Sequence, residues 1–392
     1  MNEVYIVAIA RTPVGSFNGS LASLSAVQLG ATVIKAAIQR AKIKPEDVQE
    51  VIMGNVLQAN VGQAPARQAA LAAGLPMHVQ CTTINKVCAS GMKAIMLAAQ
   101  SILLGDVQIA VAGGMESMSN APYYLAQGRN GYRYGNGQLI DGIVRDGLQD
   151  PYKQYMMGNV AEICAKKYNY TREMQDAYAV TSYKRALESI KNDWYKDEIC
   201  AVEIPQRKGD PILITEDDEP KKFDEKKVST INPAFEKTGT VTAINASKIN
   251  DGAAAVVLMS KEAVEKFGLR PIAKIAAYAD AEQDPEWFTT TPSMAIPRAI
   301  KKANLTMENI DAFEINEAFA VVNLANMQEM HIDAERQNKL GGAIALGHPI
   351  GASGARIICT LISSLKHKGG KYGAAGICNG GGGASAMVIE LL

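Results

Sequence analysis

Two hydrophobic periods alternate along the first part of the chain. Residues 4–10 (VYIVAIA) are apolar and rich in β-branched side chains, which reads as a strand. Residues 26–41 (AVQLGATVIKAAIQRA) carry apolar positions at helical spacing and no proline. A proline-containing connection at 43–48 leads to a second strand at 51–57, and an Ala-rich helix follows at 64–73. A short apolar run at 84–87 ends at Cys88. Residues 91–104 read as a helix stopped by Gly105-Asp106, and 107–112 as a buried strand closed by Gly113-Gly114. This alternation predicts an α/β layered architecture.

The pattern changes at residue 117. From there to 243 the chain carries Tyr, Gly, Asn and charge clusters, among them Glu216-Asp217-Asp218-Glu219, around a helical stretch at 158–192. This predicts an inserted, partly irregular domain over the α/β core; long loops of this kind are commonly lids or binding loops. Alternation resumes near Pro271, with a strand at 272–278, a helix at 294–303 and a strand at 310–315 that leads into Asn316-Glu317-Ala318-Phe319. Two segments then match. Ala89-Ser90-Gly91 precedes a helix, a strand and Gly113; Ala352-Ser353-Gly354 precedes the same elements and Gly376, at the same 22-residue spacing. The match predicts an internal duplication, the alternative being two ordinary βαβ corners; duplicated halves would pack face to face with a site at their junction.

Composition narrows the function. The chain has 392 residues, with 40 Lys+Arg against 40 Asp+Glu, so it lacks the basic surplus of most nucleic-acid binders. Hydrophobic residues at 47% against 20% charged predict a large core. The start, MNEVYIVAIARTP, has no basic n-region, and no apolar run is read as reaching the ~18 residues that span a bilayer. A cytoplasmic protein without a membrane partner is expected. Its six cysteines include no C-x-x-C pair and are expected as reduced thiols.

Four residues stand out chemically. Cys88 sits at a strand–Cys–helix corner, where helix N–H groups and the dipole lower a thiol's pKa and can hold an oxyanion. The alternative is a small residue chosen for packing. His348, in Gly347-His348-Pro349, is on a constrained Gly-rich turn that suits a general base or a hydrogen-bonded turn residue. Cys378 precedes Asn379-Gly380-Gly381-Gly382-Gly383, whose backbone can approach a ligand closely or pack a tight corner. Asn316 can orient a water or an oxyanion, or cap a helix. The glycine run lacks the Lys-Ser/Thr of a P-loop. Two cysteines and a histidine suggest Claisen chemistry: one thiolate takes an acyl group, and the other removes a proton α to a second thioester.

Asn85-Lys86-Val87-Cys88-Ala89-Ser90-Gly91, Gly113-Gly114-Met115-Glu116-Ser117-Met118-Ser119, Asn316-Glu317-Ala318-Phe319, Gly342-Ala343-Ile344-Ala345-Leu346-Gly347-His348-Pro349 and Cys378-Asn379-Gly380-Gly381-Gly382-Gly383 resemble the signature blocks of the thiolases, in order, from Val4 to Leu392. Among thiolases the resemblance is to the biosynthetic acetoacetyl-CoA type, the cytosolic members above all. It implies a duplicated five-layer αβαβα core with an inserted loop domain. The N-terminal half would be 1–118 plus 244–268, the loop domain covering CoA 119–243, and the C-terminal half 269–392. It implies Cys88 as the acetylated nucleophile, His348 as its base, Asn316 as the holder of a water in one oxyanion hole, and Cys378 as the acid/base for the second acetyl-CoA. Backbone N–H groups of Cys88 and Gly380 would form the other oxyanion hole. Ser247 would touch the pantetheine arm, and Met157, Ala243, Ala318 and Phe319 would wall the acyl and pantetheine pocket. Substrates would be acetyl-CoA, acetoacetyl-CoA and CoA, with no permanent cofactor and no metal, in a homotetramer built as a dimer of dimers. The chain departs from many members at Met156, where they have His beside the acyl group, and at Leu340, where they have Asn. Some relatives use a monovalent cation near a Tyr of the acidic loop, where this chain has Pro220. A longer-chain 3-ketoacyl-CoA thiolase is the alternative enzyme, and a non-catalytic acyl-CoA-binding scaffold the non-enzyme one.

Overall fold

The computed structural model describes residues 3–392; Met1 and Asn2, at the start of the expected N-terminal half, lie outside the described residues. The first half runs β1 (Val4–Arg11), β2 (Gly15–Ser16), α1 (Ala26–Ala41), β3 (Glu50–Gly54), α2 (Pro65–Ala72), β4 (Gln80–Ile84), α3 (Ser90–Leu104) and β5 (Ile109–Ser117). Its first long helix begins where the sequence pattern puts it. Ser25 and Gln28 close a capping box, each side chain accepting the other's backbone N–H, and Lys42 ends the helix in the left-handed region.

The inserted region holds a short hairpin, β6 (Tyr123–Tyr124) and β7 (Ile140–Asp141), then α4 (Met157–Tyr168), α5 (Arg172–Lys191) and a second hairpin, β8 (Val202–Ile204) with β9 (Ile212–Ile214). The expected single stretch at 158–192 is therefore two helices. Asn169 breaks it at φ 56°, and Thr171 restarts it by accepting the N–H of Met174. Arg11, at the end of β1, anchors this region: its buried guanidinium meets Glu198 at 2.6 Å and Asp217 at 2.7 Å. The chain returns through β10 (Asn250–Ser260) and α6 (Lys261–Phe267).

The second half follows as β11 (Ala273–Glu282), α7 (Pro292–Lys302), β12 (Ala312–Ile315), α8 (Ala320–Met330), α9 (Ala343–Leu346), α10 (Ile350–Lys368), β13 (Tyr372–Asn379) and β14 (Gly383–Leu391). Its pairing repeats that of the first. In each half a parallel pair (β3/β5, β12/β13) is followed by two antiparallel pairs (β5/β10 and β10/β1; β13/β14 and β14/β11). The halves are also stitched edge to edge, β1 to β11, through Tyr5–Lys274 and Ile6–Ala273.

Burial separates the layers. One core holds α3 and α10 with inward residues of both half-sheets, such as Ile6, Val256, Ile377 and Ile389. A second packs α1 and α2 on the outer face of the first half-sheet, and a third packs α7 and α8 on that of the second. The order is helix, sheet, helix, sheet, helix, the expected five layers.

Two expectations fail here. Gly113 and Gly114 do not close β5 but lie within it, and the strand runs on to Ser117. A Cβ at Gly114 would meet the carbonyl oxygen of Gly351, so the glycine marks the close passage of α10 rather than a stop. Also, the stretch Val87–Leu104 is long and apolar enough to cross a bilayer by length and composition, against the expectation of no such run. Met92, Ile95, Met96 and Ile102 of that stretch are spent inside the central layer instead.

The duplicated glycines explain why α3 and α10 approach so closely. A Cβ at Gly91 would meet the backbone N of Ala355, and one at Gly354 the backbone N of Met92. Each glycine makes room for the backbone just past the other. Gly354→Ala is expected to destabilise the fold by about 1–3 kcal/mol through overpacking, read as a lower denaturant midpoint. An unchanged midpoint would show that the two helices can separate freely.

Candidate active site

The nucleophile candidate sits on a strained corner. Between β4 and α3, Val87 has φ 47°, a conformation rare for a β-branched residue. Hydrogen bonds hold it: Val87 N–H donates to Asn85 Oδ1 at 2.8 Å, Lys86 N–H to Ser90 Oγ at 2.8 Å, and Ser90 Oγ–H to the Val87 carbonyl at 2.6 Å. The turn presents Cys88 beside the first turn of α3, on a cavity of about 610 Å³. Cys88 retains some accessible surface there, yet burial pushes its thiol up to about 11. The N–H groups of Gly380 and of Cys88 itself pull it down, and Glu116 pushes it further up. The helix terminus therefore does not make a resting thiolate, contrary to the expectation from sequence. A base has to remove the proton.

His348, on the same cavity, is the candidate. Its Nδ1 is 2.6 Å from Ser353 Oγ, and that hydroxyl already donates to the Pro349 carbonyl at 3.0 Å. The hydroxyl must then accept, so Nδ1 carries the proton and Nε2 bears the lone pair. Nε2 is buried without a protein partner. Its backbone is held as well, since His348 N–H donates to Asn250 Oδ1 at 2.8 Å. Burial, with Arg356 nearby, drives the imidazole pKa down to about 3. The ring is neutral at physiological pH because of its surroundings, not because its free pKa lies near neutrality.

Cys378 lies inside β13, paired with Ala384, and the glycine turn that follows brings Gly380 to the same cavity. Its thiol is pushed far above the usual range, first by burial and then by the charge of Cys88, so the two sulfurs feel one another's ionisation. Of the six cysteines, only Cys88 and Cys378 line this cavity.

Met157, Ala243, Ser247, Ala318 and Phe319 line it too, as does Met156. Ser247 N–H donates to the Ala318 carbonyl at 3.0 Å, which ties these two segments together. Phe235, which the sequence reading missed, meets Phe319 edge to face at 6.2 Å. Asn316 is the exception among the expected site residues: it follows β12, fully buried, and does not line the cavity. Neither atom of its side-chain amide has a protein partner.

Two buried carboxylates were also missed, although both fall in the quoted blocks. Glu116 accepts from Asn55 Nδ2, Val56 N, Leu57 N and, at 2.9 Å, Gly351 N, so a first-half strand caps the first turn of α10. Burial pushes it up to about 7 against these four donors. Glu317 accepts from Tyr178, Ser182, Asn338 and Ile344 N and holds the turn ahead of His348. For Glu116 the available signal was a lone acid between small and apolar residues.

Comparison with known proteins gives the family. The family model "Thiolase, N-terminal domain" matches residues 4–262, and "Thiolase, C-terminal domain" matches 269–391. The chain is 55% identical over 389 residues to an acetyl-CoA acetyltransferase of Schizosaccharomyces pombe, covering 99% of this chain and 98% of that protein. It is 56% identical over 390 residues to acetyl-CoA acetyltransferase ERG10, cytosolic, of Gibberella zeae, with 99% and 98% covered. The crystal structure of Acat5 thiolase from Ascaris suum, in complex with coenzyme A, superimposes with a TM-score of 0.95 at 47% identity over 100% of both chains. Matched along both halves, in sequence and in fold, the chain belongs to the thiolase family.

Proposed function

We propose that this chain is an acetyl-CoA C-acetyltransferase that condenses two acetyl-CoA to acetoacetyl-CoA and CoA, and runs the reverse thiolysis, by a ping-pong route through acetyl-Cys88. The observation that carries this reading is that two thiols from opposite halves, Cys88 and Cys378, share one cavity with the neutral imidazole of His348. Relatives named acetyl-CoA acetyltransferase, identical at more than half of their positions, support it.

In the first half-reaction His348 Nε2 takes the Cys88 proton and the thiolate attacks the acetyl carbonyl. The N–H groups of Cys88 and Gly380 face the forming oxyanion. The carbon–sulfur bond to CoA breaks, and Cys378 gives its proton to the departing sulfur. Acylation removes the Cys88 charge that opposed a Cys378 thiolate. In the second half-reaction that thiolate takes the α-proton of a second acetyl-CoA, and the resulting carbanion attacks acetyl-Cys88. The bond to Cys88 breaks, and His348 returns its proton. The unpaired amide of Asn316 fits a residue that holds a water near the second thioester oxygen.

Residues 119–243 would cover CoA, between an N-terminal half of 1–118 plus 244–268 and a C-terminal half of 269–392; Met157 and Phe235 on the cavity wall support this. A homotetramer is part of the same reading. Strand β4 pairs only with β3 among the described residues, which leaves an open edge, and Tyr123, Leu125 and Leu139 expose apolar surface around the first hairpin. A cytosolic location rests on the relative named so.

Intact-mass analysis after incubation with acetyl-CoA, followed by peptide mapping, is expected to find one acetyl group on Cys88. Cys378→Ala should still reach that adduct, more slowly for want of the acid that protonates the departing CoA sulfur, and lose condensation by about 10²–10⁴-fold. An unmodified Cys88 in an active enzyme would overturn the assignment. Turnover of acetoacetyl-CoA should exceed that of 3-ketodecanoyl-CoA; the opposite ranking would favour the longer-chain thiolase.

The pH dependence follows from the neutral imidazole. Because His348 stays unprotonated down to about 3, the rate of Cys88 acetylation should show no acid limb at the ordinary His pKa of about 6.5. A single-turnover profile between pH 5 and 8 checks this, run also on Glu116→Gln because that carboxyl is held near 7; a limb near 6.5 that persists in Glu116→Gln would refute the buried-base picture.

A further inference from the structure

Lys248 follows Ser247 directly, and its side chain lines the same cavity. Its ammonium makes no carboxylate pair among the described residues. It donates instead to two backbone carbonyls, Ala246 at 3.1 Å and Ile344 at 2.8 Å. The face of the Tyr183 ring lies 5.1 Å away, a cation–π contact. These partners come from separate parts of the chain. Ala246 precedes the Ser247 expected at the pantetheine arm, Ile344 is in α9 just before Gly347-His348, and Tyr183 is on α5 of the inserted region. Burial lowers the ammonium to about 8, while Glu219 and Glu317 pull it upward. Two carbonyl oxygens and a ring face around one charge make a cage for a small monovalent cation, with the cation carried on a side chain.

We propose that Lys248 is a positioning residue whose ammonium serves as a tethered monovalent cation, fastening the segment of Ser247 to the turn of His348 and so setting the shape of the thioester cavity. The inference rests on reading that cavity as a CoA-thioester site. Without the charge, the Ala246 and Ile344 carbonyls lose their shared donor, and the two segments are free to part.

The test is Lys248→Ala, compared with the unaltered enzyme in choline, potassium and ammonium chloride at equal ionic strength. In choline the KM for acetyl-CoA is expected to rise about tenfold, the scale of one charge-assisted hydrogen bond, with a smaller change in kcat. Ammonium or potassium should refill the emptied cage. It should lower that KM and raise the variant's melting temperature, while leaving the unaltered enzyme's melting temperature unmoved. A KM equal to that of the unaltered enzyme, or a defect identical in all three salts, would overturn the proposal. If Lys248→Ala does not fold, Lys248→Met keeps the stem without the charge. It should show the raised KM with no rescue by salt, and a normal KM would be decisive against the tether. The melting-temperature comparison requires no turnover. An enzyme that makes no acetoacetyl-CoA would thus sink the proposed function while this test still gives its answer.

Discussion

The crossing of α3 and α10 in the central layer is the constraint on which the rest of the structure depends. Cys88 stands just before α3, and His348 just before Pro349 and α10. Bringing those N-termini together is therefore the same act as bringing the Cys88 thiol and the His348 imidazole to one cavity. Gly91 and Gly354 permit the approach, each by leaving room for the other helix's backbone. The serine of each repeated motif then does a matching job. Ser90 Oγ clamps the corner before Cys88, and Ser353 Oγ holds the ring of His348. Packing at the helix crossing and orientation of the reacting groups share one short motif, used twice.

Electrostatics follows from that depth. Burial raises both thiols and lowers the imidazole, so the resting site carries no charge on any of the three. A neutral site costs less desolvation than a preformed thiolate–imidazolium pair in the same place. Because each sulfur opposes ionisation of the other, negative charge is best carried by one at a time. That ordering fits the two-step acyl transfer proposed for this chain. Glu116 and Glu317 are charged or chargeable groups in the same interior, yet each is wrapped by four donors. They act on the backbone that carries the chemistry rather than on substrate.

Much of this was legible in the amino-acid order, and the limits have physical reasons. Helix α1 was readable to the residue because its period, capping box and stop are all local. The two helices of 158–192 merged because the break at Asn169 rests on one backbone dihedral that several residue types can adopt. Gly113-Gly114 misled because a glycine that ends a strand and one that admits a neighbouring backbone look alike in sequence. Cys88, Ala318, Phe319, His348, Cys378 and Gly380 on the cavity were legible through their blocks. Their ionisation was not, since the helix dipole at Cys88 is visible locally while the burial that outweighs it is a property of the whole fold. Lys248 and Phe235 carried no signal, because their partners lie far away along the chain.

The duplication also explains why the site is asymmetric. In the register that aligns Gly91 with Gly354, His348 falls opposite Asn85, Gly351 opposite Cys88, and Cys378 opposite Met115. Asn85 orients Val87 in the corner before Cys88, while His348 presents its imidazole to the cavity. Gly351 offers its N–H to Glu116 at the place where the first copy offers a thiol. Glu116 in turn falls opposite Asn379, beside the second cysteine. Two copies of one backbone thus hold complementary residues at matched positions. One copy brings the Cys88 thiol and the Glu116 carboxylate that braces its partner; the other brings the His348 imidazole and the Cys378 thiol. Divergence at these few positions, on a backbone kept in register by the two glycines, is what turns a structural repeat into a site with a direction.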